Sequence, residues 1–356
     1  MHSSHLAWGG QGLKVETKSH KEHAKRPVIG ITLGDPAGIG PEVVLGALQD
    51  EEVYTRCVPV VIGNADVLRR CSEATGISAG TVRVIDSPRS AQGAKDLVEL
   101  VHVEVPGMLD IRPGELSREA GVAAEAFVRK ACDLALAGEI DAIATAPINK
   151  ESLRLADINH IGHTEMLAAY LGASDPLTLF VTENMRIFFL SRHLSLREAI
   201  DYVTEDRVYS FIKQVHKAMT NLGFVNPSIG LAALNPHASD GGQFGDEEEK
   251  HLIPAARRAR AEGIACSDPI GADSIFHMAL EGLFDCVISL YHDQGHIAAK
   301  TRDFYGTITA TLNLPVLRTS VDHGSAFDIA WKGMANPVSM RRAIMMAAEL
   351  STKSLQ

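Results

Sequence analysis

The chain is poor in cysteine, in aromatic residues and in long apolar runs. Its 356 residues include five cysteines, and Phe, Trp and Tyr make up only 5%. Cys57, Cys71, Cys132, Cys266 and Cys286 are scattered, with no Cys-x-x-Cys pair. That leaves no zinc-ribbon or dithiol motif and fits reduced, buried thiols in a cytoplasmic protein. No apolar stretch approaches the roughly 20 residues a membrane-spanning helix needs, so no membrane partner is expected. A formal net charge of −10 argues against a nucleic-acid partner, which requires a basic face. It leaves room for a small anionic substrate, because a few local Lys and Arg residues suffice. Several familiar motifs are also missing. Gly34-x-x-x-Gly38-x-Gly40 is not the G-x-G-x-x-G dinucleotide fingerprint, and there is no P-loop, no G-x-S-x-G elbow and no H-E-x-x-H helix.

With 46% apolar and 22% charged residues, the composition supports one large or two medium folded units. Residues 1–26 lack an apolar core segment and read as a disordered tail rather than a secretory signal. From Pro27 onward, short apolar runs alternate with helical patterns. Val28 to Leu33 and Val58 to Ile62 read as buried strands. Ser117 to Ala137 reads as a long helix closed by Gly138, and Thr204 to Leu222 as a helix capped by Thr204. Val208, Phe211, Ile212, Val215, Met219 and Leu222 form the apolar face of that second helix. A further helix is expected over Glu247 to Ala261. Such alternation predicts an α/β protein with a mainly parallel sheet covered on both faces.

Three histidines follow the ends of apolar runs. Ile187 to Leu190 leads to His193, Ile229 to Leu234 to His237, and Cys286 to Leu290 to His292. If these runs are strands of one parallel sheet, the imidazoles stand beyond its carboxyl edge, where α/β proteins bind ligands. Three imidazoles with an open position form a catalytic metal pattern. Around them lie other polar segments. In Gly162-His163-Thr164-Glu165, Thr164 is expected to cap a helix whose N-terminus, with His163, binds an anion or a substrate hydroxyl. Tyr291-His292-Asp293-Gln294-Gly295-His296 follows a buried run, and Asp293 is placed to orient a ligand or to move a proton. Lys300 and Arg318 supply cations for a carboxylate or phosphate. Ser320 to Ala330 reads as a tight loop into a helix, with Ser325 as its cap.

Taken together, these segments resemble the 4-hydroxythreonine-4-phosphate dehydrogenase family. The resemblance rests on Gly34-Asp35-Pro36-Ala37-Gly38-Ile39-Gly40-Pro41-Glu42, Gly162-His163-Thr164-Glu165, Asn235-Pro236-His237-Ala238, Tyr291-His292-Asp293-Gln294-Gly295 and Arg318-Thr319-Ser320-Val321-Asp322-His323-Gly324. They occur in order from about residue 28 to the C-terminus. His323 to Ala330 is also similar to the nucleotide loop of isopropylmalate and isocitrate dehydrogenases, which bind NAD(P) without the glycine fingerprint.

This resemblance implies an isopropylmalate dehydrogenase-like fold of two α/β/α domains with a cleft between them. Residues 27–147 plus 298–356 would form the nucleotide-binding domain, and 148–297 the metal, substrate and dimerisation domain. It implies a homodimer with shared active sites. His193, His237 and His292 match the ligands of a divalent metal (Zn, Mg, Mn or Co), with His292 expected from the partner subunit. His163, Thr164, Lys300, Thr309 and Arg318 match substrate-binding positions. His323, Gly324, Ser325, Ala326 and Asp328 match the NAD loop, and Asp273, Asp293 and Lys300 the catalytic positions. Thr309 stands where the family usually has Asn, and a hydroxyl cannot supply the paired donor and acceptor of an amide. The implied reaction is NAD-dependent oxidation, with decarboxylation, of a phosphorylated hydroxy acid: 4-phospho-D-threonate, 4-phospho-D-erythronate or 4-hydroxy-L-threonine phosphate. A dehydrogenase of a cis-dihydrodiol carboxylate, a metal-dependent hydrolase and a non-catalytic sugar-phosphate sensor are the alternatives.

Overall fold

The structure, a computed structural model, describes residues 26–160 and 162–353. The expected N-terminal tail lies outside them apart from Arg26. Twelve strands form one sheet: β1 (Val28–Thr32), β2 (Val58–Gly63), β3 (Thr81–Val84), β4 (Leu97–His102), β5 (Ala142–Thr145), β6 (Leu177–Thr182), β7 (Met185–Phe189), β8 (Ile229–Ala232), β9 (Cys266–Ile270), β10 (Cys286–Ser289), β11 (Ile308–Leu312) and β12 (Leu317–Val321). Their spatial order is β3-β4-β2-β1-β5-β12-β11-β6-β7-β10-β8-β9. From β3 to β12 all neighbours are parallel. The pairs β12–β11, β11–β6 and β6–β7 are antiparallel, and β7–β10–β8–β9 are parallel again. The expected α/β fold is present. Its sheet is two parallel halves of opposite direction joined through an antiparallel centre, which the sequence pattern did not reveal.

The residues explain the halves. β1, β2 and β5 are buried at every position, as strands covered on both faces must be. One apolar cluster, with Ile31, Val43, Leu68 and Phe127, packs against one face of the first half. Another, with Val60, Ile143, Leu153 and Met166, packs against the other. The second half is flanked in the same way by clusters around Ile212 and Ile288 and around Ile187 and Val287. β9 carries Pro269 and lies at the sheet edge, where a missing N–H costs no ladder bond.

Helix ends follow local chemistry, with instructive departures. Ser117 caps the helix Arg118–Leu136 by accepting from Ala120 N–H. Thr204 precedes the helix Glu205–Asn221 but makes no side-chain cap bond. There the acidic first turn carries the terminus, and Glu205 and Asp206 both pair with Arg258 at 2.7 and 2.8 Å. The helix expected over 247–261 begins as a π-turn, Glu248–Leu252, and becomes α-helical only at Ile253–Ala261. The domain boundary expected at residues 297 and 298 falls inside the helix His292–Arg302.

Gly34 ties the two loops at the carboxyl edge of the first half. It has φ +68°, and a Cβ there would lie 2.3 Å from the Pro147 carbonyl oxygen. The same carbonyl accepts a bond from Asp35 N–H at 2.9 Å. Only glycine combines that conformation with so close an approach.

Candidate active site

The strands preceding the three histidines, β7, β10 and β8, are adjacent and parallel, so His193, His292 and His237 all follow the same sheet edge. One chain brings two of them together. His193 and His292 line a cleft of about 700 Å³, with ring centroids 6.4 Å apart. His292 Nδ1 lies 2.6 Å from Asp293 Oδ1, and its ring stacks on His296 at 3.7 Å. That contact fixes the orientation of the His292 ring in this chain. His237 does not line this cleft. Among the described residues no group of three His, Cys, Asp or Glu side chains is placed to hold a metal ion.

His237 nevertheless sits in a built loop. His237, Ala238, Ser239 and Asp240 all have positive φ, between 48° and 68°. Four consecutive non-glycine residues in that region are strained, and strain persists only where its surroundings enforce it. Three consecutive glutamates supply the enforcement. Glu248 Oε1 accepts from the backbone N–H groups of Leu234 and Asn235, both at 2.8 Å. Glu247 and Glu248 both accept from Asn235 Nδ2, and Glu249 accepts from Ser239 Oγ at 2.8 Å. The π-turn that carries them is a form often found at functional sites. Sequence reading missed this network because a run of glutamates looks like a solvated helix face.

The cationic side of the cleft is more complete. Thr164, Lys300 and Thr309 all line it, and Lys300 Nζ pairs with Asp322 at 2.8 Å. Arg318 is buried and is not among the residues that line it. Arg318 Nε and Nη2 donate to Thr145 Oγ1 at 3.0 and 2.8 Å, and Nη1 donates to Thr311 Oγ1 at 3.2 Å. No carboxylate pairs with it among the described residues. Burial pushes its pKa down to about 9, so it is still charged at neutral pH. Burial, and then the nearby Arg318 charge, hold His163 well below the usual histidine range, so it is neutral at pH 7. Its Nε2 is buried with no partner. Thr164 does not cap a helix as expected. The helix His163–Leu171 starts two residues earlier than that, with Gly162 at the cap position and no side-chain cap bond.

Beside the cleft lies a smaller, mainly apolar hollow of about 190 Å³. His323, Gly324 and Ala326 line it together with Ile39, Ile329 and Asn336. Asp322 and Phe304 border both spaces. His323 Nε2 is buried without a partner, an orphaned polar atom facing this region. Ser325 and Asp328 do not line the hollow. Ser325 is no helix cap: its hydroxyl accepts from Asn149 Nδ2 at 3.2 Å and its carbonyl from Ile39 N–H at 2.9 Å. Asp273 stands outside the cleft on the helix Ala272–Leu280 and accepts from Ser274 Oγ at 3.4 Å. The cleft also contains Thr178, Phe180, Arg192 and His296, which sequence reading did not assign. Phe180 and Thr178 belong to β6, a strand the reading did not identify.

The cleft thus has the half-buried cations Arg192 and Lys300 in its wall and a mainly apolar hollow beside it. Comparison with known proteins gives the class. The profile of the pyridoxal phosphate biosynthetic protein PdxA family matches residues 55–347. A relative from Clostridium botulinum, provisionally named D-threonate 4-phosphate dehydrogenase, is 46% identical over 330 residues, covering 92% of this chain and 98% of its own. One from Symbiobacterium thermophilum with the same name is 47% identical over 324 residues, covering 91% and 96%. The crystal structure of 4-hydroxythreonine-4-phosphate dehydrogenase from Klebsiella pneumoniae superimposes with a TM-score of 0.84 at 38% identity, covering 91% of this chain and 99% of that one. A terephthalate 1,2-cis-dihydrodiol dehydrogenase from Burkholderia xenovorans reaches 0.62 at 28% identity, with 91% and 98% covered. The chain is an oxidoreductase acting on a CH–OH group. It belongs to the PdxA family.

The neutral His163 has a consequence for stability. Unfolded, this histidine titrates near 6.5. Folded, it resists protonation, so the unfolded state gains the proton first and stability falls as pH drops through 6.5. Between pH 6.5 and 5.5, the wild type should lose about 1 kcal/mol more unfolding free energy than His163→Asn. Urea titrations at the two pH values check this, and parallel losses in both proteins contradict it.

Proposed function

We propose that the enzyme oxidises the 3-hydroxyl of a 4-phosphorylated four-carbon acid with NAD and releases the carboxylate as CO₂. The substrates we favour are 4-phospho-D-threonate and 4-phospho-D-erythronate, with 4-hydroxy-L-threonine phosphate as the amino counterpart. The single observation that carries this reading is Arg318, a buried guanidinium with only hydroxyl partners beside a neutral, unpartnered His163. An uncompensated buried cation costs several kcal/mol, and a substrate anion offsets that cost on binding. The names carried by the relatives, of D-threonate 4-phosphate and 4-hydroxythreonine-4-phosphate dehydrogenases, support a phosphorylated acid of this kind.

In this scheme Arg318, His163, Thr164 and Lys300 hold the anionic end. Thr309 borders the same cleft and tunes what lies beside it. Asp293, on the cleft wall, accepts the hydroxyl proton directly or through a water. The hollow at His323, Gly324 and Ala326 fits one flat ring of NAD, with the orphaned His323 Nε2 as its polar contact. NAD supplies the hydride acceptor. His193 and His292 supply two of the imidazoles a divalent metal needs, and His237 stands past the same edge as the third. A metal bound there supplies a Lewis acid at the substrate hydroxyl. Because one chain leaves this set open, we take the site to be shared between two copies in a homodimer.

Two experiments follow. NADH formation should be seen with a 4-phosphorylated acid and fall to background with the unphosphorylated acid or with chelator. Equal rates with and without the phosphate would contradict the reading. For the shared site, inactive His193→Ala subunits are mixed with His237→Ala or with His292→Ala subunits. Partial recovery is expected in the mixture whose two lost histidines belong to different chains of one site. Recovery in neither mixture contradicts sharing.

A further inference from the structure

One guanidinium lines the cleft itself. Arg192 follows β7 and immediately precedes His193, and it is half-buried in the cleft wall. Its Nη1 donates to Thr178 Oγ1. It makes no ion pair within 4 Å among the described residues, and Glu165 is the acidic side chain whose charge reaches it. Thr178 on β6 lies directly opposite Thr311 on β11. Thr311 in turn accepts from Arg318 Nη1 at 3.2 Å and lies opposite Arg318 on β12. Directly opposed residues on antiparallel strands share a face, with Cβ atoms roughly 4.5–5.5 Å apart. The two guanidiniums are therefore anchored on neighbouring threonines of one sheet face. Both have neutral hydroxyls as their hydrogen-bond partners.

Two like charges held this way repel each other when the cleft holds no anion. A ligand with two negative charges and several acceptor oxygens resolves the conflict, because each guanidinium can bind it through planar, paired donors. We propose that Arg192 is the second arm of the anion subsite, gripping the substrate phosphate together with Arg318 and selecting a dianion over a singly charged group. Thr178 is its positioning residue. This assignment rests on reading the cleft as a phosphate site.

The test uses the full chain and inorganic phosphate as the probe, with affinity measured by calorimetry on wild type, Arg192→Gln and Arg192→Lys. Kinetics with the phosphorylated acid are measured alongside. Arg192→Gln should weaken phosphate binding and raise KM by about tenfold, with kcat changed much less. Arg192→Lys keeps the charge without the fork and should fall between the two, and it stands in if the Gln variant does not fold. Thr178→Val should move KM in the same direction by less. Wild-type affinity for phosphate in both Arg192 variants overturns the assignment and leaves the phosphate reading intact. If wild type itself binds no phosphate and does not discriminate phosphorylated acids, the reading of the cleft falls and Arg192 with it.

Discussion

A charged guanidinium buried without a carboxylate is the constraint around which this active site is organised. Removing a cation from water is expensive, and folding alone gives no reason to retain one when an apolar side chain would pack as well. Arg318 lies on β12, and among the described residues its hydrogen-bond partners are Thr145 and Thr311. Burial, reinforced by that charge, keeps His163 neutral, and the ion-paired Lys300 and Asp322 line the cleft. On the function proposed above, such a site is pre-organised for an anionic group, an arrangement useful to an enzyme that must orient a flexible substrate.

The sheet's change of direction makes this possible. In an all-parallel sheet every strand carboxyl end would face one edge. Here the antiparallel centre, β12–β11–β6–β7, turns the second half around. Threonines at 178, 309 and 311 come from strands running in opposite directions and form a polar floor between two apolar halves. The helix His292–Arg302 spans this region, with His292 at one end and Lys300 near the other, and both line the cleft. A single helix thus connects the histidine edge to the cationic side.

Much of this was legible in the sequence, and the reasons differ from element to element. The helix 205–221 was legible because its apolar residues recur at helical spacing. The three histidines were legible because each follows a buried run, and those runs are indeed neighbouring parallel strands. The antiparallel centre was not, since a strand's direction leaves no mark on its residue pattern. Nor was the helix start at His163, nor the fact that Thr204, although it does stand at the cap position before Glu205, makes no side-chain cap bond. Arg192 was hidden beside the histidine that drew attention, and only the Thr178–Thr311 register reveals its partner. Convergence of three histidines was expected from one edge, yet an edge sets side and not distance, and His237 stays outside the cleft in one chain.

The claim that Arg318 trades stability for anion binding can be tested directly by unfolding Arg318→Met alongside wild type in urea, with and without inorganic phosphate. The account predicts that, without phosphate, the Met variant is at least as stable as wild type, because a buried charge has been replaced by an apolar side chain. It also predicts that phosphate stabilises wild type and leaves the variant unmoved. A variant that is markedly less stable than wild type without phosphate, together with a wild type indifferent to phosphate, would show that Arg318 is a structural residue and contradict the account.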